Sequence, residues 1–176
     1  LAVALTFPLL TLPGAKAANA IDTDAECSIQ FDIGGNSSEL LSASIPVNLY
    51  KVASVDVSGN YTATGTFAKL DLSSVSADNL DTAAATWSER AAEAKKLLKD
   101  DTEPTTTVTL TQGRGTATRL KTGLYLVDTP KVITPNYTYT FTPYLVSLPT
   151  NNYYNGKDAS DNWIYNLTGS NAVGLK

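Results

Sequence analysis

From Cys27 onward, apolar and polar residues alternate along much of the chain, which is the pattern of β-strands with one buried face. The clearest example is CSIQFDI, in which Ile29, Phe31 and Ile33 fall on one face and polar residues fall on the other. The glycines and serines of GGNSS follow and predict a loop. We therefore expect CSIQFDI to be the first strand of a sheet.

The next patterned stretch, residues 45–67, predicts two strands joined by a tight turn. Its sequence is IPVNLYKVASVDVSGNYTATGTF. The first half is nearly continuously apolar, as expected of a strand buried on both faces, and the second half alternates. Ser58, Gly59 and Asn60 between the two halves are typical turn residues.

Residues 123–149, GLYLVDTPKVITPNYTYTFTPYLVSLP, predict two further strands folded back on each other. We expect the large apolar residues to be core and the intervening threonines and tyrosines to lie mostly on exposed sheet faces. The expected core residues are Leu124, Leu126, Phe141, Leu145 and Leu148. Two more segments predict strands: VTLTQGRGTATRL, with a turn at Gly113 and Gly115, and NWIYNL.

One segment, residues 81–99, has the period of a helix. Its apolar stripe recurs at i, i+4, i+7 and i+11 and consists of Trp87, Ala91, Ala94 and Leu98. Asp81 or Thr82 can cap its start. A helix of this length is marginal alone in water, so we expect a crossover helix that docks Trp87 and Leu98 on the sheet. About seven to nine short strands and one helix together predict a mainly β protein, a β-sandwich.

The first 20 residues, LAVALTFPLLTLPGAKAANA, predict an export leader. An apolar run is followed by two triplets, AKA and ANA, that both match the small-x-small pattern before a signal-peptidase cut. A core strand or helix is the alternative, and Pro8, Pro13 and Gly14 disfavour a long helix. The predicted organisation is a signal peptide over residues 1–20, with its front truncated, and one β-sandwich domain over residues 21–176.

Composition removes several classes of function. The chain has 176 residues and a net charge of −4, and its 13 Lys and Arg residues form no basic stripe, so we expect no nucleic-acid partner. It has no histidine, which excludes Ser-His-Asp and Cys-His catalysis and removes the usual zinc ligands. We therefore expect neither an enzyme nor a cofactor or metal site. The single cysteine, Cys27, cannot form a disulfide within the chain and is expected in the core.

One covalent chemistry needs neither histidine nor metal. A buried lysine amine can attack a side-chain amide or carboxyl group when a nearby acid transfers protons, because burial favours the neutral amine and the protonated acid. The product is an isopeptide crosslink within the domain. It requires a lysine on one strand, an Asn or Asp on a neighbouring strand, and an acid that faces both.

Five blocks of sequence follow one another along the chain. They are PVNLYKVASVDVSGNYTATGTF, the Trp-bearing helix, LKTGLYLVDTP, YTYTFTPYLVSLPT and WIYNLT. In this order they resemble the N-terminal domain of Gram-positive sortase-assembled pilins and cell-wall adhesin subunits, whose immunoglobulin-like modules are related to the collagen-adhesin B-type fold. The resemblance covers residues 27–176 and implies an immunoglobulin-like β-sandwich with one amphipathic crossover helix.

The resemblance implies a structural role. Such pilins are secreted, polymerised by a sortase and fixed to the cell wall, where they contribute to adhesion. The implied partners are other pilin subunits and the pilin sortase, with a host surface protein or glycan as a further partner, and the implied location is the cell surface. A segment with Trp163 and Tyr165 leads to Lys176, the candidate lysine whose amine would attack the acyl-sortase thioester and link subunits.

The same resemblance implies candidates for an internal crosslink. Related modules carry an acid in the strand that corresponds to GLYLVDTP, and the acid here is Asp128. Lys51 in LYKVA is the candidate lysine, and Asn166 in the last strand is the candidate acceptor.

A secreted binding module is the alternative function. Tyr153, Tyr154 and Trp163 would stack on a sugar or a host protein if their rings lie in one exposed patch. Exposure of these rings therefore separates the two hypotheses.

Overall fold

The computed structural model of the chain describes residues 19–34, 37–77, 84–151 and 163–176. Three predictions lie wholly or mostly outside the described residues: the leader over residues 1–20, of which 1–18 are not described, the helix cap at Asp81 or Thr82, and the exposure of Tyr153 and Tyr154. The described strands are β1 (Glu26–Asp32), β2 (Ile45–Val55), β3 (Tyr61–Ala63), β4 (Thr106–Leu110), β5 (Arg114–Lys121), β6 (Gly123–Asp128), β7 (Val132–Ile133), β8 (Thr138–Tyr139), β9 (Tyr144–Leu148), β10 (Thr150–Asn151), β11 (Trp163–Ile164), β12 (Asn166–Leu167) and β13 (Val173–Gly174). The described helices are α1 (Ser38–Ser42) and α2 (Ala84–Leu97), and short 3-10 turns span Gly65–Phe67 and Gly169–Asn171.

Strand β1 is the centre of the first sheet. It pairs antiparallel with β5 and parallel with both β12 and β13, so the last segment of the chain runs alongside it. Cys27, Ile29 and Phe31 point inward and are buried, which confirms the predicted alternation. The strand ends at Asp32, one residue earlier than predicted, and Ile33 is half-buried beyond it.

Strands β2 and β6 are the centre of the second sheet. β6 pairs antiparallel with β2 and with β9, and β2 also pairs with β3 and β4. The two strands predicted within residues 123–149 are therefore neighbours, as expected. The turn at Ser58, Gly59 and Asn60 is also confirmed, because it joins β2 to β3.

A tight turn after β4 connects the two sheets. Gln112 and Gly113 have φ angles of 51° and 77°, and Thr111 bridges Arg114 across them. A Cβ atom at Gly113 would lie 2.7 Å from the Leu41 side chain and 2.8 Å from that of Ile33. Glycine is therefore required here both by the backbone conformation and by the packing around it.

The apolar residues form two main cores. The first core lies between the sheets and includes Ile29, Phe31, Val47, Leu49, Tyr125 and Val127. The second core lies on the other face of the second sheet and includes Tyr50, Val52, Leu124, Leu126, Ala91 and Ala94. The molecule therefore has three layers: two sheets and an outer layer that contains α2.

Helix α2 is the predicted crossover helix. Ala91 and Ala94 are fully buried against the second sheet, while Trp87 and Leu98 are half-buried at the edge of the same core. The Trp87 ring meets the Tyr61 ring edge to face, with centroids 6.5 Å apart. The prediction of a helix docked on the sheet is confirmed, although its end at Leu97 precedes the predicted end.

Two sequence predictions were wrong in detail. The segment NWIYNL is not one strand, because β11 pairs with β10 while β12 pairs with β1. Tyr125 and Tyr144 are buried rather than exposed on a sheet face. Their hydroxyl groups donate to backbone oxygens, that of Tyr125 to Lys121 at 2.7 Å and that of Tyr144 to Gly174 at 3.0 Å. Burial of a tyrosine is favourable when its hydroxyl finds such an acceptor.

Candidate functional site

The candidate linkage lysine lies at the end of the segment that runs along β1. Phe31 and Asp32 pair with Val173 and Gly174, which fixes the chain immediately before Lys176. Leu175 packs against the core between the sheets. The last strand thus positions Lys176 at the end of the sandwich where β1 ends.

Three contacts hold Lys176 and its neighbour in place. The Tyr144 hydroxyl donates to the Gly174 carbonyl oxygen, and the Thr142 amide donates to the backbone oxygen of Lys176 at 2.6 Å. The Lys176 Nζ atom lies 4.9 Å from the centroid of the Tyr144 ring, within cation–π range. Burial raises the pKa of the Tyr144 hydroxyl, so it remains a hydrogen-bond donor at physiological pH.

Lys176 is exposed, and its amine is therefore accessible to a large acyl donor. A primary amine attacks an acyl carbon in its neutral form and yields an amide. Lys176 therefore provides a positioned primary amine, and this amine can accept an acyl group.

Trp163 and Tyr165 do not form an exposed aromatic patch. Trp163 is half-buried, and its Nε1 donates to the Asn19 carbonyl oxygen at 2.5 Å. The Tyr165 hydroxyl accepts a hydrogen bond from the Asp22 amide at 2.8 Å. Both aromatic residues therefore hold the start of the domain against its last segment.

Lys51 faces the core between the two sheets. It pairs with Tyr125, and its side chain lies close to Gly123, where an added Cβ would be 2.7 Å from the Lys51 Cε atom. Burial, and then the ammonium of Lys121, lower the pKa of Lys51, while the Cys27 thiol acts in the opposite direction.

Asp128 lies on the opposite face of the same sheet. It is three residues after the inward-facing Tyr125 on β6, and alternation along a strand turns it toward α2. Its Oδ2 accepts a hydrogen bond from the Lys95 Nζ atom at 2.5 Å. The Asp128 side chain is 12% exposed and that of Lys95 is 46% exposed, so this ion pair is partly shielded from water.

The predicted crosslink residues are not brought together. Lys51 and Asp128 are separated by the second sheet, and Asn166 is exposed on the first sheet, where its Oδ1 accepts from the Ser28 hydroxyl at 2.8 Å. An isopeptide needs its amine, acceptor and acid in contact, and these three side chains are apart here, so the crosslink stays a prediction from the sequence.

The Lys95–Asp128 pair was missed by sequence reasoning. Lys95 follows the buried Ala94 and lies four residues after the buried Ala91, which places it at the edge of the buried face of α2. This position beside an apolar stripe is the signal that could have identified it. Its partner could not be identified without the three-dimensional position of β6.

Among the described residues, no group of three or more Cys, Asp or Glu side chains is placed to hold a metal ion. Nor does any described helix combine the length and apolar character needed to cross a membrane.

Comparison with solved structures identifies the fold. The fimbrial protein FimP from Actonomyces oris superposes with a TM-score of 0.50 over 90% of this chain at 20% sequence identity, and the match covers 31% of FimP. The chain has a pilin-like fold. The full-length major pilin SpaD from Corynebacterium diphtheriae matches 88% of the chain at 21% identity, with a TM-score of 0.47 and coverage of 31% of SpaD.

The chain thus spans about a third of the length of these solved proteins. No family model matches the sequence, and no curated protein matches it. The immunoglobulin-like sandwich expected from the five sequence blocks agrees with the described architecture and with the similarity in fold to FimP.

Proposed function

We propose that the chain is a module of a pilus subunit on the surface of a Gram-positive bacterium, exported and linked covalently to other subunits. The observation that carries this proposal is the pilin-like fold, which the fimbrial protein FimP shares over 90% of the chain. In this proposal the module is structural rather than enzymatic and contributes to adhesion. Its partners are neighbouring subunits and a pilin sortase, with a host protein or glycan as the target of adhesion.

Lys176 is the proposed point of linkage. Its neutral amine would attack the thioester between the sortase cysteine and the C-terminal carbonyl of another subunit. The carbon–nitrogen bond of an amide forms, the carbon–sulfur bond breaks, and the amine proton passes to the departing thiolate. The exposure of Lys176 and its two contacts, with the Tyr144 ring and the Thr142 amide, support this assignment, because an oriented amine lowers the entropic cost of attack.

The assignment is tested by acyl transfer in solution. The purified chain is incubated with the cognate pilin sortase and a sorting-signal peptide, and the adduct is located by peptide mass spectrometry. We expect the peptide on Lys176, with the adduct lost in Lys176→Ala and retained in Lys131→Ala. Lys131 is also exposed and serves as the matched control. Continued acylation of Lys176→Ala at another lysine would show that this assignment is wrong.

The binding-module alternative is less well supported. Of its three proposed aromatic residues, Trp163 is the one among the described residues, and its ring packs near Ile21, Val55 and Ala77. Its indole N–H is also bonded to Asn19. A ring used in this way is not available for stacking on a ligand, so the structure gives no specific support for this alternative.

A further inference from the structure

Residues 19–22 are an integral part of the folded domain. The Asn19 carbonyl oxygen accepts the Trp163 indole N–H at 2.5 Å, and the Ile21 amide donates to the Val57 carbonyl oxygen at 2.9 Å. The Ile21 residue is only 2% exposed. The Asp22 amide then donates to the Tyr165 hydroxyl at 2.8 Å. Contacts at Asn19, Ile21 and Asp22 thus hold this segment before β1 begins.

The sequence offers two positions for removal of the leader. The triplet AKA would place the cut after Ala17, and the triplet ANA would place it after Ala20. The two mature chains differ by the residues Ala18, Asn19 and Ala20. Only the longer chain retains the carbonyl group that the Trp163 indole binds.

A cut after Ala20 would have a second consequence at Ile21. It would convert the Ile21 amide into an ammonium group with three N–H donors and a positive charge. Among the described hydrogen bonds, the acceptor at this nitrogen is the Val57 carbonyl. The new charge would lie next to the buried Ile21 side chain, and its acceptor in those contacts is a carbonyl oxygen rather than a carboxylate.

We propose that the leader is removed between Ala17 and Ala18, so that the mature chain begins with Ala18, Asn19 and Ala20. Water adds across the Ala17–Ala18 amide bond and leaves a carboxylate on Ala17 and an ammonium group on Ala18. The new charge then lies three residues before the buried Ile21. This assignment rests on the proposed export of the chain, and it shortens the predicted leader from residues 1–20 to residues 1–17.

The direct test is the N-terminus of the exported protein. The chain with its complete leader is secreted, and the mature product is examined by intact mass and N-terminal sequencing. We expect a start at Ala18. A start at Ile21 would overturn this proposal while leaving the pilus function open to its own test at Lys176. Retention of residues 1–17 would overturn both this proposal and the proposed export.

A stability comparison tests the physical reason. Two chains that begin at Ala18 and at Ile21, with no added residue, are melted with and without Trp163→Phe. We expect the shorter chain to have a melting temperature lower by about 2–4 °C or more. Trp163→Phe should lower the melting temperature of the longer chain more than that of the shorter one, because only the longer chain has the Asn19 acceptor. Equal melting temperatures and equal effects of the substitution would contradict the proposal.

Discussion

Cys27 is held in the core between the two sheets, and its surroundings make the thiol unreactive. The residue is 2% exposed, and burial raises its pKa to about 11, with the nearby Lys51 ammonium acting in the opposite direction. Because the thiolate is the reactive form, both burial and the raised pKa protect it.

The first prediction concerns alkylation of this thiol. At pH 8 we expect iodoacetamide to modify Cys27 about 100-fold or more slowly in the native chain than in the chain unfolded in urea, since a pKa near 11 leaves little thiolate. Mass spectrometry over a time course measures both rates. Similar rates in the two states would show that Cys27 is accessible and would contradict its position in the core.

The position of Asp128 along β6 decides which face of the sheet it lies on and therefore which lysine it contacts. Tyr125 and Asp128 differ by three residues on β6 and therefore occupy opposite faces of the second sheet. Lys51 shares the face of Tyr125, whereas Lys95 approaches Asp128 from α2. The carboxylate that resembles a crosslinking acid in sequence is therefore an ion-pair partner of a helix.

The second prediction tests this ion pair by a double-mutant cycle. We expect Asp128→Asn and Lys95→Met to be coupled by about 0.5–1 kcal/mol in the free energy of unfolding, because the pair is only partly shielded from water. The coupling should decrease in about 1 M salt. Urea denaturation of the two single variants and the double variant measures it.

The matched control for this cycle is Lys96→Met, because Lys96 is the next residue on α2 and is exposed. Its coupling to Asp128→Asn should be less than about 0.3 kcal/mol. Equal coupling for Lys95 and Lys96 would mean that the specific contact does not form.

At the scale of elements, α2 is attached to the sheet through its small residues. Ala91 and Ala94 are fully buried, and their size lets the helix approach β6 and β9 closely. The larger Trp87 and Leu98 lie at the edges of the contact. The attachment of α2 to the sheet therefore depends on close packing at Ala91 and Ala94.

The third prediction follows from this packing. Ala91→Leu should destabilise the fold by about 1–3 kcal/mol, because the added methyl groups have no space beneath the helix. Ala92→Leu is the matched control on the exposed face, and it should change the free energy of unfolding by less than about 0.5 kcal/mol. Chemical denaturation compares the two variants. An equal effect at both positions would contradict the docking of α2.

The sequence predicted elements better than it predicted partners. Alternation in CSIQFDI and the i, i+4, i+7 stripe of α2 arise from burial of one face, so they are visible in the chain itself. The burial of Tyr125 and Tyr144 depends on acceptors that tertiary structure supplies at Lys121 and Gly174. Alternation alone cannot show such acceptors, and the tyrosines were therefore expected on an exposed face.

The contacts of the candidate site residues also depend on tertiary structure and cannot be read from the sequence. Lys176 could be selected from the sequence, but its contacts with Tyr144 and Thr142 depend on where β9 lies relative to β13. The contacts of Asp128 and Asn166 could not be predicted from the sequence because they are set by the packing of α2 and by the register of β12 with β1. Pairing across long separations in sequence is decided by the whole fold.

At the scale of the whole molecule, the start of the described chain and Lys176 lie at opposite ends of the sandwich. The Tyr165 hydroxyl accepts a hydrogen bond from the Asp22 amide, and the Tyr165 carbonyl accepts one from the Ser28 amide near the beginning of β1. Gly174 pairs with Asp32 at the end of the same strand. In the proposed linkage, a subunit joined to Lys176 would be attached at the end of the sandwich away from Asp22.

The measurement that tests the proposed pilus function most directly is the size of the protein in cell-wall extracts of the organism that produces it. Extracts are boiled in SDS and probed with an antibody raised against residues 18–176. Covalent linkage of subunits predicts a ladder of species that resist SDS and extend well above the mass of one subunit. A single band at the mass of one subunit, from cells that express the protein at their surface, would contradict the account.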